Sequence, residues 1–344
     1  MRSPAGVQVP GARPVLCAAA ARRVLLPASA RWRGTLPTAV LAVVLLLAPP
    51  TVQAQAVLDR IVARGAVRCG AAPAPGLASA PGTAPASGVF VDLCMALATA
   101  VLGPAARSEF HSYVSEADFA RVTRAQDDVV FLSGGQIAAH TLAGYLVPGP
   151  AVFLQRVGVL VPGSAPTQHL GDLAGRGICY LIGDSAERAL EAAFDARHLP
   201  WLRHAYSEQG EMSDAYAAGR CQALAGDALV LAPLREGTHP SRWLPEVLEE
   251  VPIVAATPTG DGRWTAIVAW TINTLVNAQR PATRWTPGGI QAMPIEAPQL
   301  GLAPGWQAAV IAATGNYRDI CARHLGAALQ SLPPADRWLL PFVE

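Results

Sequence analysis

Gly183-Asp-Ser-Ala-Glu187 and Gly226-Asp227 each lie a few residues beyond a cysteine, Cys179 and Cys221, at the end of a short apolar run. The first opens a helical pattern with Leu190, Ala193 and Phe194 on one side. A helix start offers unpaired backbone N–H groups and a partial positive charge, which suit an anion, and Ser185 adds a hydroxyl. Asp184 can cap that helix itself, and it would then repel an anionic guest. Asp227 ends the run 221–225, and an Asp beside a Gly is also a common turn residue. Both segments fall within 172–227, where each strand or helix runs into a polar loop. Ligands of open α/β sheets sit at such strand ends, so the stretch points to a small-molecule cleft. A third polar segment, Ser133-Gly-Gly-Gln136, follows the buried run 129–132, and His140 lies just beyond it.

The same residues are weak material for catalysis. Gly183-Asp-Ser185 superficially matches the Gly-Asp-Ser of some secreted esterases. In those the serine lies near the mature N-terminus and an Asp-x-x-His near the C-terminus. Here Ser185 opens a mid-chain helix, Asp319 and His324 have the wrong spacing, and no Gly-x-Ser-x-Gly elbow exists. A Ser185-dependent esterase is therefore a remote alternative. Glu187 and Asp227 are the nominees for a glycosidase carboxylate pair, with nothing specific behind them. The seven His are scattered without zinc spacing. The expectation is a non-enzyme with no cofactor and no metal.

The elements that must position these residues sit in a chain of 344 residues, enough for two domains. It is 51% hydrophobic and 15% charged with net charge +1. That excludes a disordered chain and gives no bulk attraction to nucleic acid or acidic membranes. At the N-terminus Arg22, Arg23, Arg31 and Arg33 precede an apolar run at 38–48, then Pro49-Pro50 and small residues spaced A-x-A. This is the pattern of a secretory signal, too short to span a bilayer, with cleavage expected after Ala54 or Ala56. Export implies an oxidising compartment. Cys17 leaves with the signal; Cys69, Cys94, Cys179, Cys221 and Cys321 remain. Two disulfides and one leftover thiol is the simplest count, with Cys69–Cys94 and Cys179–Cys221 the obvious pairs. By loop entropy each contributes on the order of 3–4 kcal/mol.

Along the mature chain, strands are expected at 66–70, 129–132, 157–161, 178–182, 221–225 and 247–254. Helices are expected at 57–64, from Asp92, at 119–125, from Ser185, and at 212–218, 264–278, 306–314 and 317–325. Trp264 and Trp270 read as core packing on their helix. The region 71–87 reads as a loop. Alternating strands and helices give an α/β chain.

Six segments together resemble one family. They are Gly65-Ala-Val-Arg-Cys-Gly70, Gly88-Val-Phe-Val-Asp-Leu-Cys94, Asp172-Leu-Ala-Gly-Arg-Gly-Ile-Cys179, Asp214-Ala-Tyr-Ala-Ala-Gly-Arg-Cys221, Trp264-Thr-Ala-Ile-Val-Ala-Trp270 and Gly315-Asn-Tyr-Arg-Asp-Ile320. Their order and spacing resemble the periplasmic solute-binding proteins of polar amino-acid ABC transporters, the family 3 type, and most closely its general L-amino-acid branch. The two cysteine pairs fall where that branch carries cysteines.

The resemblance implies an α/β, two-lobed periplasmic-binding-protein fold. Each lobe is a mostly parallel sheet flanked by helices, and two crossing strands form the hinge, expected near 153–158 and 246–251. The domains are then a secretory signal region at 1–56, the first part of lobe 1 at 57–153, lobe 2 at 154–250, and the return to lobe 1 with C-terminal helices at 251–344. The implied protein is a periplasmic monomer that hands a small-molecule solute to a membrane permease and binds no nucleic acid. In such proteins the start of the helix at Gly183–Ser185 holds the ligand carboxylate, and the position of Asp227 accepts its ammonium group.

This chain departs from the family in four places. The loop 71–87 lacks an aromatic to stack on a ligand. Asp184 stands where Ser or Thr is usual. Phe90 replaces an Asp. The stretch 133–144 contains neither Arg nor Lys, so the family's carboxylate-gripping Arg is missing and Gln136 and His140 are the sizeable polar groups left. Expected ligand contacts are Gln136, His140, Asp184, Ser185 and Asp227, with weak or absent binding of ordinary amino acids. The alternative is a protein whose ligand site has degenerated and which assists another secreted enzyme as a periplasmic partner.

Overall fold

The computed structural model describes residues 56–235, 240–279 and 300–331, apart from 81, 83 and 84. The expected signal region, with Cys17 and Ala54, lies outside the described residues. Helix α1 (Val57–Arg64) buries Val57, Leu58 and Ile61 and stops at Gly65, whose φ of 69° is left-handed. Strand β1 (Ala66–Ala71) follows and pairs in parallel with β2 (Arg107–Ser112) on one side and β3 (Val129–Ser133) on the other. Helix α2 (Val89–Leu102) packs over β1, and the Cys69–Cys94 disulfide joins the two across a Cα–Cα distance of 6.0 Å. Helix α3 (Glu116–Thr123) precedes β3, and a short helix α4 (Gly134–Ala139) follows it.

The chain then runs through a two-residue strand β4 (Leu146–Val147) into the long β5 (Ala151–Pro162). Strands β6 (Gly177–Leu181), β7 (Leu202–Tyr206) and β8 (Ala223–Asp227) make a second parallel set with helices α5 (Ser185–Asp195) and α6 (Gln209–Ala217). Cys179 on β6 is bonded to Cys221, just ahead of β8, across a Cα–Cα distance of 5.7 Å. After a four-residue helix α7 (Ala228–Leu231) and strand β9 (Ser241–Trp243), the second long strand β10 (Glu249–Pro258) returns. Helices α8 (Gly262–Asn277), α9 (Trp306–Thr314) and α10 (Tyr317–Ser331) complete the described chain.

The strand order is β2-β1-β3-β10-β5-β8-β6-β7, with β4 on β10 and β9 on β5. Strands β5 and β10 are antiparallel to each other and carry the chain from one lobe to the other. Val152 and Phe153 at the start of β5 belong to the core built on β1 and α2. Val157, Val159 and Val161 of the same strand belong to the core under α5. The strand changes cores between residues 153 and 157, so Gln155 is left between the two lobes. On β10, Ile253 and Ala255 sit in the first core, whereas Glu249–Val251 pair with Gln155–Val157 in the gap. The expected crossing segments fall on these two strands, except that 246–248 precede β10.

Several elements differ from the sequence expectation. Helix α2 starts at Val89 rather than Asp92, and α3 at Glu116 rather than Phe119, because Ser115 and Asp118 form a capping box one turn earlier. Strands β2 and β7 were not expected. Both are edge strands with partly exposed, polar-rich sequences, so no apolar alternation marks them. Trp264 is fully buried, with Nε1 donating to the Asp128 carbonyl at 2.8 Å. Trp270 is 38% exposed and is not a core residue. Phe90 stacks on Phe131 at 4.8 Å, which makes it part of the hydrophobic core.

Candidate functional site

A cavity of about 540 Å³ opens between the lobes. From the first lobe it is lined by Ser133, Gly134, Gly135, Gln136, Ala139 and His140. The second lobe contributes Gly183, Asp184, Ser185 and Arg188, and the crossing strands contribute Gln155 and Glu249 to Pro252. Its size suits a small organic molecule. Four of the five expected ligand residues line it, although they come from segments about fifty residues apart in sequence. Asp227 stands behind it, joined to the lining residue Gln155 by a hydrogen bond from Nε2 to Oδ2.

Local chemistry fixes each of these groups. Ser133 and Gln136 form a capping box at the start of α4. The Ser133 hydroxyl accepts from the Gln136 backbone N–H at 3.2 Å, and the Gln136 side-chain Oε1 accepts from the Ser133 N–H at 2.9 Å. His140 at the end of α4 stacks on Phe119 at 3.6 Å, and its Nδ1 lies 2.9 Å from a Glu116 carboxylate oxygen without hydrogen-bond geometry. Its ring therefore ties α4 to α3 as well as facing the cavity.

Across the cavity, Gly183 adopts a left-handed φ of 74°, which turns the chain from β6 into α5. Its N–H donates to Glu187 Oε2 at 2.9 Å. Asp184 is the N-cap of α5, and its Oδ1 accepts from the Ser185 N–H at 2.6 Å and from the Ser185 hydroxyl at 3.2 Å. At the helix end that could greet a ligand carboxylate, the Ser185 N–H and the Gly183 N–H just ahead of it are already bonded to carboxylates of the chain itself. Ser185 Oγ is oriented by Asp184, while His324 is bonded to Asp92 at 2.8 Å.

Asp227 is 8% exposed and caps α7, with Oδ1 accepting from the Leu229 N–H at 2.7 Å. Burial pushes its carboxyl above the usual range. Hydrogen bonds from Gln155 and from the Leu229 and Val230 backbone pull the other way, and the negative charge of Asp184 adds to the rise.

Both guanidinium groups on or beside the cavity are matched by glutamates. Arg188 Nη2 lies 3.1 and 3.2 Å from the two carboxylate oxygens of Glu249. Arg156, next to Gln155 on β5, holds Glu250 at 2.7 Å. Among the described residues, Asp184 and Asp227 have no salt-bridge partner. The site therefore carries excess negative charge. Gln155, Arg188, Glu249 and Glu250 were not anticipated from sequence. The signals for them were weak: an acidic pair inside an apolar strand, and an Arg one turn after Ser185. Among the described residues no cluster of His, Cys, Asp or Glu is arranged to hold a metal ion.

No protein-family model matches the chain. The Escherichia coli K12 protein YhdW is 25% identical over 302 residues, 83% of this chain and 89% of its own length. The general L-amino acid-binding periplasmic protein AapJ of Rhizobium johnstonii is 26% identical over 289 residues, 78% of this chain and 84% of AapJ. The glutamate/glutamine/aspartate/asparagine-binding protein BztA of Rhodobacter capsulatus is 25% identical over 290 residues, 79% and 86% of the two chains. Among solved structures, an ABC transporter periplasmic binding protein from Brucella ovis, with glutathione bound, superposes with a TM-score of 0.64 at 23% identity. That match covers 82% of this chain and 93% of the other. In sequence the chain is thus similar to amino-acid-binding proteins of ABC transporters, and its α/β fold is that of the periplasmic binding protein it superposes on.

Proposed function

We propose that this protein is an exported receptor that delivers a small polar solute to an ABC-type permease. We further propose that the solute carries an amine and lacks a free α-carboxylate. The observation that supports this reading is the charge balance of the interlobe cavity. Arg188 and Arg156 are both matched by glutamates, the start of α5 is capped by Asp184, and Asp227 sits buried beside neutral donors. A buried carboxylate without a cationic partner is held at a desolvation cost that an ammonium guest would offset. A guest carboxylate finds no unpaired guanidinium and meets like charge instead. Gln136, His140, Asp184, Ser185 and Asp227 are the residues assigned to the ligand, with Gln155 positioning Asp227. No group here is assigned a catalytic role.

A thermal-shift screen with polyamines, amino-acid amides, decarboxylated amino acids and common amino acids tests this reading. An amine at one hundred times its dissociation constant adds about 2.7 kcal/mol to stability. Stabilisation by amines and not by the parent acids is the expected pattern. Silence across all four classes counts against a ligand-binding role.

A further inference from the structure

We propose that Glu249 is a built-in carboxylate that occupies Arg188 and so keeps α-carboxylates out of the cavity. Arg188 is then the guanidinium that holds such a group once Glu249 is removed. This inference rests on the reading of the interlobe cavity as the ligand site.

The cavity has lost a guanidinium from the first lobe, since 133–144 holds neither Arg nor Lys, yet it has one on the second. Among its described lining residues Arg188 is the one Arg or Lys. It stands in the first turn of α5, one turn beyond Asp184 and Ser185, and its side chain is 68% exposed. A guest lying against Ser185 is within the reach of this long side chain.

The Arg188–Glu249 pair has the features of a displaceable contact. A single nitrogen, Nη2, is shared between both oxygens of Glu249 at 3.1 and 3.2 Å. Charged hydrogen bonds of this kind are usually nearer 2.7–2.9 Å, and the strong Arg–carboxylate geometry uses two nitrogens. Nε and Nη1 are left out of the pair, but each bidentate face of a guanidinium includes Nη2, so Glu249 stands across both faces while holding the group through one nitrogen. Half of the pair lies on α5 and half on the crossing strand β10, so Glu249 belongs to the hinge rather than to the helix it neutralises.

A loose pair still excludes a dilute competitor, because Glu249 is tethered. Its effective concentration at Arg188 is on the order of millimolar or higher, against micromolar free solute. It also adds like-charge repulsion to any second carboxylate drawn to the same place. Removing it frees the guanidinium and lifts the repulsion together, and we expect at least a ~10-fold gain in affinity for an α-amino acid.

The test uses the mature protein and three variants: Glu249→Gln, Arg188→Gln and the double variant. Glu249 is on the surface of the strand, its side chain 30% exposed, so the amide is expected to leave the fold intact. A melting curve checks each variant. Calorimetry is run with L-glutamine, L-lysine and L-arginine, and with agmatine and cadaverine as carboxylate-free partners. The expected result is that Glu249→Gln binds at least one of the three acids ~10-fold or more tightly than wild type, and that the double variant loses this gain. A folded Glu249→Gln that binds the acids no better than wild type overturns the inference. So does a gain that persists without Arg188. Failure of the amines to bind wild type defeats the functional reading alone, because the gain is read on the acids.

Discussion

Asp127 and Asp227 show how two buried aspartates one hundred residues apart do opposite work. Burial pushes the Asp127 carboxyl up, but hydrogen bonds from His111, Arg121 and Tyr113 overcome it and hold the group well below the usual range. Arg121 grips it through Nε and Nη2 at 2.8 Å each, Tyr113 donates at 2.6 Å, and His111 Nδ1 lies at 2.8 Å. Its folded pKa is depressed, so its stabilisation is full above the unfolded value near 4 and is lost as pH falls below that. Asp127→Asn should lower stability by about 1–3 kcal/mol, because it takes the charge from a part-buried ion pair and weakens its charged hydrogen bonds. Urea titrations at pH 7 and pH 3 check this, with a smaller difference between variant and wild type at pH 3. Asp227 has the opposite sign. Its folded pKa is raised, so its contribution is full below the unfolded value and is lost as pH rises through the folded one. Asp227→Asn should therefore cost little stability at neutral pH while weakening amine binding ~10–100-fold, the loss of a charged hydrogen bond. Cys321 is buried, and burial pushes its thiol up to about 12. It should stay unlabelled by a thiol reagent in the native protein and react on unfolding.

At the scale of elements, α5 is the most informative. Its N-cap Asp184 bonds the first N–H of the helix from within the chain and puts a carboxylate at a position that would otherwise suit a ligand's. Asp184→Ser keeps a capping oxygen and removes the charge; helix stability should change by less than ~1 kcal/mol, whereas Asp184→Ala should cost about 1 kcal/mol. Chemical denaturation separates the two. That cap was legible in sequence, because an Asp followed by a helical apolar pattern has few other uses. The disulfides were legible as well, since pairing within each lobe needed only the order of the cysteines. Gln155, Arg156, Glu249 and Glu250 were not. They lie on two strands that touch only in the folded molecule, and nothing local in β5 distinguishes Gln155 from any polar residue of a strand. Likewise β2 and β7 escaped notice, as edge strands without apolar alternation. Trp270 misled for the reverse reason. Its spacing fits the buried face of α8, but the helix presents it to solvent.

For the whole molecule, the fold brings together what the sequence keeps apart. Strand β5 changes cores between residues 153 and 157, beside Glu249–Val251 of β10, and the cavity opens at this crossing. Helix α7 joins the two halves physically. Ala228 and Leu229 pack in the first core, Leu231 packs in the second lobe, and Asp227, behind the cavity, caps the helix. On the proposed reading, a guest ammonium held by Asp227 would pull on an element shared by both lobes. Because that ammonium favours the ionised carboxylate, amine affinity should rise with pH through the raised Asp227 pKa. Calorimetry at stepped pH reads this directly, and Asp227→Asn should flatten the profile. The most direct test of the central claim compares matched ligands in one calorimeter: L-lysine against cadaverine, and L-arginine against agmatine, all with the mature protein. The account predicts that an amine binds and that its parent acid binds at least ~10-fold more weakly. Micromolar or tighter binding of either amino acid, equal to or better than its amine, would contradict it.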